Sequence, residues 1–171
     1  MRKEVGAPSA ICGRLQFETA KGIKRFQFLL LEYRFFKDSE KGSALPLNLP
    51  RPLSPLSLVL HIAKSHALVL LKLPCYFVKL ETRTVGLFAT QGHRESLLVA
   101  SLGVAKEYRR LGIGTCILNT IERLAKRMGK RWLEVDVLKK NVPARRVYSR
   151  FGFTFIYSER RHNVIRGKKP L

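Results

Sequence analysis

Residues 109–114 read Arg109-Arg110-Leu111-Gly112-Ile113-Gly114, and this stretch decides how the rest of the chain is read. The apolar run Leu97 to Val104 precedes it, and a strongly helix-periodic run, Thr115 to Met128, follows it. A strand, a turn with two glycines and basic residues, and a helix N-terminus together make a place for phosphate. Glycine lets backbone approach a ligand because no Cβ intervenes. The first N–H groups of a helix have no internal partners, and the helix dipole adds partial positive charge at that end. Arg109 and Arg110 supply forked donors that suit phosphate oxygens.

The spacing excludes two common phosphate loops. A Walker-type loop needs Lys followed by Ser or Thr after its last glycine, whereas Gly114 is followed by Thr115-Cys116. A dinucleotide fingerprint needs a third small residue three places after the second glycine, and that place holds Ile117. A second motif lies downstream, at Asn141-Val142-Pro143-Ala144-Arg145-Arg146-Val147-Tyr148-Ser149-Arg150-Phe151-Gly152-Phe153.

The first stretch, R-x-x-G-x-G, resembles the pyrophosphate loop of the GNAT superfamily of acetyl-CoA-dependent N-acetyltransferases. The second resembles that family's N-x-x-A-x-x-x-Y-x-x-x-G-F segment at every named position. Order and separation also fit, with one strand between the two motifs. The resemblance covers roughly residues 76 to 157 and matches residues 1–75 only loosely. One departure is Ala105-Lys106, where the family usually has Pro before the basic loop. The turn does not depend on that proline.

The resemblance implies an α/β fold: a mixed, mostly antiparallel central sheet flanked by helices, with two splayed strands holding acetyl-CoA. Those strands are Leu97 to Val104 and Trp132 to Val137. Backbone groups of Leu102, Gly103 and Val104 would hold the pantetheine arm, as an added strand pairs with a sheet edge. The N–H near Val104 would face the thioester oxyanion. Backbone N–H groups of Arg110, Leu111, Gly112, Ile113, Gly114 and Thr115, with the Arg109 side chain, would hold the pyrophosphate. Tyr148 stands where the family places a general acid, and a phenol with pKa near ~10 can donate at pH 7. By spacing alone Tyr148 is a packing residue, because Ala144, Val147, Tyr148 and Phe151 form a helical stripe. Asn141 serves as a helix cap, a cofactor contact or both. No general base stands out: His93 and Glu95 precede the central strand and read as surface turn residues within possible reach.

Composition sets outer limits. A chain of 171 residues with 46% hydrophobic content suits one domain with a real core. The expected organisation is a single N-acetyltransferase domain over 1–171: an acceptor-side part (1–75), an acetyl-CoA-binding core (76–157) and a mobile basic tail (158–171). Net charge is +21, with 19 basic against 6 acidic residues in 91–171 and 14 against 6 in 1–90. That balance favours polyanionic partners, acidic or RNA- and ribosome-associated, or serves solubility alone. The scarcity of acids disfavours small polycationic acceptors. The acceptor is expected to be a protein or peptide N-terminal α-amine; a lysine or small amine is the alternative. A basic RNA-binding module on the same fold is the non-enzymatic alternative, although the aromatic-basic interleaving of an RNA-recognition sheet is missing.

Cys12, Cys75 and Cys116 show no paired spacing, which suits a reducing, cytoplasmic setting. Cys116 reads as packing, not as a nucleophile, and no metal set is expected: His61 and His66 are five apart, not the i, i+4 of a zinc helix. Leu56 to Leu73 is apolar but broken by His61, Lys64, His66 and Lys72, so no membrane span is expected. The oligomer is monomer or homodimer.

Local patterns give the remaining elements. Ile11 to Phe17 reads as a strand and Lys21 to Phe36 as a helix with Ile23, Phe26, Leu29, Leu30 and Tyr33 inward. Lys41 to Pro55 is rich in proline, and within Leu45 to Leu56 it reads as a specificity loop or a linker; Ser57 to Lys64 reads as a helix. Tyr76 to Glu81 and Thr84 to Thr90 form a hairpin, Gly129 and Gly152 end the two later helices, and Phe153 to Tyr157 is a strand.

Overall fold

The structure is a computed structural model, and it describes residues 8–37, 73–156 and 163–171. The Pro-rich segment, the specificity loop, the helix read at Ser57 to Lys64 and the two histidines on it lie outside the described residues.

Among the described residues, seven strands form one sheet: β1 (Leu15–Thr19), β2 (Cys75–Leu80), β3 (Arg83–Gly92), β4 (Ser96–Val104), β5 (Trp132–Leu138), β6 (Thr154–Ile156) and β7 (Val164–Pro170). Their spatial order is β1-β2-β3-β4-β5-β7-β6. Every neighbouring pair is antiparallel except β4 and β5, which are parallel. That parallel pair needs a crossover, and the crossover is helix α3 (Ile113–Arg127). The other helices are α1 (Pro8–Arg14), α2 (Lys24–Lys37) and α4 (Val142–Arg150).

Two apolar layers cover the sheet. On one face α3 buries Ile117, Ile121 and Ala125 against Val78, Phe88, Leu97, Val99, Leu133 and Val135. This is the stripe its 3.6-residue period predicts, and it ends at Gly129, φ +65°, with Lys130 N–H donating to Ala125 O and Gly129 N–H to Lys126 O. That is the left-handed cap expected of a glycine there. Met128, expected on the buried face, is 48% exposed.

On the other face α2 buries Phe28 and Leu29 against Phe77, Leu87 and Ala89. This corrects part of the inward face expected there: Leu29 is buried as expected, but Ile23, just before the helix, is 81% exposed and Leu30 51%; Phe26 and Tyr33 lie outside the described side chains. The buried positions are Phe28, Leu29 and Glu32, and the glutamate hides the period from a reading that counts only apolar residues. A second correction concerns the N-terminal strand. Residues 8–14 form helix α1, and the strand begins at Leu15.

The thiols also differ from expectation. Cys12 and Cys116 are joined by a disulfide across 104 residues of sequence, which ties α1 to the first turns of α3. Their pairing is a product of the α1–α3 contact, so nothing in the local spacing announces it. Cys75 is buried and lies outside the disulfide.

The basic C-terminal segment is not a mobile tail over residues 164–170: it is β7, seated between β5 and β6. Its charges are used in pairing. Arg166 meets Asp136 with two hydrogen bonds of 2.9 and 2.8 Å, and Lys169 reaches Glu122 on α3 at 2.6 Å. Lys169 also sits 4.0 Å from the centre of the Phe151 ring. Gly167 makes the inner contact possible. A Cβ there would fall 2.8 Å from Val135 Cγ2 and 2.9 Å from Phe155 Cε1. Gly167→Ala is therefore expected to cost about 1–3 kcal/mol through overpacking. Urea unfolding with a midpoint equal to that of the wild type would show that β6 yields instead.

Candidate active site

β4 and β5 stay together only briefly. Their ladder runs from Ser96 opposite Trp132 to Val99 opposite Val135, after which β4 continues to Val104 and β5 to Leu138. Each strand keeps its outer partner along that length, β3 for β4 and β7 for β5. Among the described residues, the facing edges at 100–104 and 136–138 therefore open into a wedge with no strand between them. The cause lies in β4: a register shift between Ala89 and Thr90 leaves Ala100 as an extra residue opposite β3. A bulge of this kind bends its strand and re-aims the residues beyond it. Leu102, Gly103 and Val104 all lie past it, on the wedge edge.

The glycine loop closes the same end. From Val104 the chain makes a short 3-10 turn at Lys106–Tyr108, passes through Arg110 at φ +65° and Gly112 at φ +80°, and enters α3 at Ile113. Two left-handed residues two apart fold the loop back over the helix end. The helix has no side-chain cap and no acid in its first turn. The N–H groups of Ile113, Gly114 and Thr115 thus face forward without a capping partner among the described residues, while Cys116 N–H makes the first helical bond, to Gly112 O at 3.0 Å. Gly114 is informative in a different way. A Cβ there would meet nothing within 4 Å, so packing does not require glycine at this position. Open space over a helix N-terminus fits a bound diphosphate, which would otherwise collide with a side chain.

Arg109 has a structural duty as well. Its Nε donates to Val104 O at 3.0 Å, fastening the loop to the end of β4. Arg110 is exposed at the loop's crest. Leu111 packs against the α3-side core, which fixes the loop from below.

Tyr148 and Asn141 come from α4. Asn141 is the N-cap, its Oδ1 accepting from Ala144 N–H at 3.1 Å, with Pro143 in the first turn as expected. A cap of this kind is worth about 1 kcal/mol. α4 contains no fully buried residue, and Val147 is 41% exposed, so the helix is not the core stripe its spacing suggests. Tyr148 is partly buried, its ring set edge-on against Phe153 with centroids 5.5 Å apart. Burial pushes the phenol up to about 12 and keeps it neutral.

His93 and Glu95 do not reach this end. They lie at the start of β4, exposed, with Glu95 beside Arg131 at 3.4 Å. Seven residues of strand separate Glu95 from Leu102, roughly 23 Å. The carboxyl group that does lie near is Glu32 of α2, which is 7% exposed. It neighbours Ser101, the residue before Leu102, and neither Glu32 Oε1 nor Ser101 Oγ has a hydrogen-bond partner among the described residues. Burial pushes this carboxyl up to about 7, with the Ser101 hydroxyl opposing. Its sequence signal was spacing: Glu32 follows Phe28 by one helical turn. Among the described residues no group of His, Cys, Asp and Glu could hold a metal, and no helix is long and apolar enough to cross a membrane.

Comparison with known proteins agrees with this geometry. The family described as "Acetyltransferase (GNAT) family" matches residues 56–153. No curated protein sequence matches the chain. Among solved structures, an acetyltransferase from Thermus thermophilus is similar over 92% of this chain and 97% of its own, at 15% identity and a TM-score of 0.69. The ribosomal-protein-S18-alanine N-acetyltransferase from Escherichia coli is similar over 91% and 93%, at 15% identity and a TM-score of 0.61. A GNAT family acetyltransferase from Elizabethkingia anophelis, solved with acetyl-CoA bound, is similar over 92% and 99%, at 13% identity and a TM-score of 0.56.

Proposed function

This chain belongs to the GNAT family of acetyltransferases and uses acetyl-CoA as its acetyl donor, and from that premise we propose that its acceptor is the α-amine of a protein or peptide N-terminus. The observation that carries the assignment of the site is the wedge between β4 and β5, which ends at the uncapped start of α3. An extended pantetheine arm, with two amides, fits between two strand edges that lack partners. Backbone groups of Leu102, Gly103 and Val104 pair with it, and the loop from Arg109 to Thr115 holds the diphosphate behind it. Asn141 sets the start of α4, and Tyr148 donates a proton to the departing sulfur.

Acceptor chemistry supports an α-amine. The nucleophile must be neutral, and an α-amine with pKa near ~7.7–8.0 comes much closer to that at pH 7 than a lysine near ~10.4. Only 12 acidic residues serve a chain of net charge +21, a poor setting for a polycationic acceptor and a good one for an acidic peptide. Similarity in fold and extent to the S18-alanine enzyme points the same way. We read residues 1–171 as one domain, with residues 1–75 forming the acceptor side.

Calorimetric titration with acetyl-CoA and dephospho-CoA, followed by a panel of peptides with free or blocked N-termini, tests this. Micromolar binding and transfer that is lost on blocking the N-terminus is the expected result. Transfer that survives blocking and needs an internal lysine would replace the α-amine with a lysine acceptor.

A further inference from the structure

Two faces of the sheet meet at the wedge, and they are not equivalent. α3 and the diphosphate loop lie on one; among the described residues, α2 covers the other. A donor held from the α3 side leaves the α2 side of the opening for the incoming amine. The bulge at Ala100 brings Ser101 onto the α2 side, opposite Ala89. Cys75 of β2 stands next in that row, paired with Ala89. Glu32 lies over the row, buried, with one carboxylate oxygen unpartnered among the described residues. A buried carboxyl with one oxygen unpartnered is costly to keep, and its buried neighbours on α2 among the described residues, Phe28 and Leu29, offer it no hydrogen bond. Its neighbour Ser101 stands on the wedge edge next to Leu102, and Val104 lies three residues on, about 10 Å along the strand, so a proton passes between Glu32 and an amine at that end through Ser101 and a short chain of waters.

We propose that Glu32 is the proton acceptor for the amine substrate. This rests on acetyl transfer to an amine at the wedge, the reading given above. The bound ammonium loses one proton to the Glu32 carboxylate, and the nitrogen lone pair forms the C–N bond to the acetyl carbon. The C–S bond breaks, and the thiolate takes the proton of Tyr148. The excess proton on the new amide nitrogen restores the Tyr148 phenol, and Glu32 returns its own to solvent. Amide, free thiol and one proton are the products.

The charged and titratable groups around Glu32, among the described residues, are few. On β2 there is the Cys75 thiol, pushed up to about 11 by burial and so neutral throughout the working range, with Arg25 of α2 acting on that thiol; Tyr108 borders the same apolar cluster. β3 offers only Leu87 and Ala89, and β4 only the Ser101 hydroxyl. Glu32 is pushed up to about 7, so its basic form is lost as pH falls through neutrality, and the rate falls with it.

The test is Glu32→Gln, measured with an N-terminal peptide from pH 6 to 9.5. We expect kcat/KM to fall roughly ten-fold or more at pH 7. The deficit should shrink below about two-fold by pH 9, where an α-amine of pKa ~7.7–8.0 is already neutral. Acetyl-CoA affinity should stay within about two-fold of wild type. A deficit of equal size at every pH, or none, overturns the assignment. If the wild type prefers lysine, the α-amine reading fails by itself. Glu32 is then judged with the lysine acceptor, for which the deficit should persist to about pH 10.4. Should the variant not fold, infrared titration of wild type carrying 13C-labelled glutamate decides. One carboxyl with a midpoint near neutrality that moves when CoA and a non-reactive ammonium bind supports the role; a midpoint that ignores both removes it.

Discussion

Gly112→Asp is expected to abolish acetyl-CoA binding, raising the dissociation constant at least about 100-fold. Two effects add. Gly112 sits at φ +80°, where an L side chain is strained, at roughly 1–2 kcal/mol. The new carboxylate then stands at the mouth of α3, ahead of the N–H groups meant for an anion, and repels the diphosphate. A factor of 100 corresponds to about 2.7 kcal/mol, within reach of strain and like-charge repulsion together. Gly114→Ala is the companion experiment. Its Cβ would meet no protein atom within 4 Å, so the fold should tolerate it, and any loss of affinity reports the ligand's own closeness. Calorimetry on both variants, with thermal unfolding as the control, decides the matter. Gly112→Asp that folds and binds normally would move the diphosphate elsewhere.

The second large effect is on turnover. Tyr148→Phe removes one oxygen and leaves the ring against Phe153 intact. We expect kcat to fall about 100-fold, the lower end for loss of a general acid, with acetyl-CoA affinity unchanged. The lower end follows from the acid's strength. A free thiol has a pKa of ~8.5, whereas the phenol is pushed up to about 12, so proton transfer to the thiolate is uphill by itself and is drawn forward by the far more acidic protonated amide nitrogen, which restores the phenol. The sign of the pH effect is also fixed. A phenol raised to about 12 stays protonated through pH 6–10, so its removal should lower the whole pH–rate curve without moving its limbs. A Phe variant with full turnover would assign Tyr148 to packing alone.

The cofactor half of the site is legible in the sequence because its chemistry is local. Glycines that must take positive φ, a helix N-terminus and an Asn cap with Pro in the next turn are all set by residues within a few positions of one another. Much of the rest of the fold is not, because its parts meet only through tertiary structure. Glu32 looks like a surface charge until α2 is laid on the sheet. Cys12 and Cys116 meet only when α1 docks on α3. The residues of β7 look like a solvated basic tail, yet Arg166 and Lys169 have carboxylates waiting on β5 and α3. Charge that is neutralised by a distant partner reads, in one dimension, as charge facing water.

The sheet order has a consequence for how the protein is made. β6 touches the sheet only through β7, yet it precedes β7 in the chain. Until residues 164–170 are made, β6 has no strand to pair with, and the end of α4 lacks the Lys169 contact on Phe151. At about 5–20 residues per second this waiting period lasts roughly one to three seconds. Tyr148 is thus secured late, after the loop from Arg109 to Thr115 has been made.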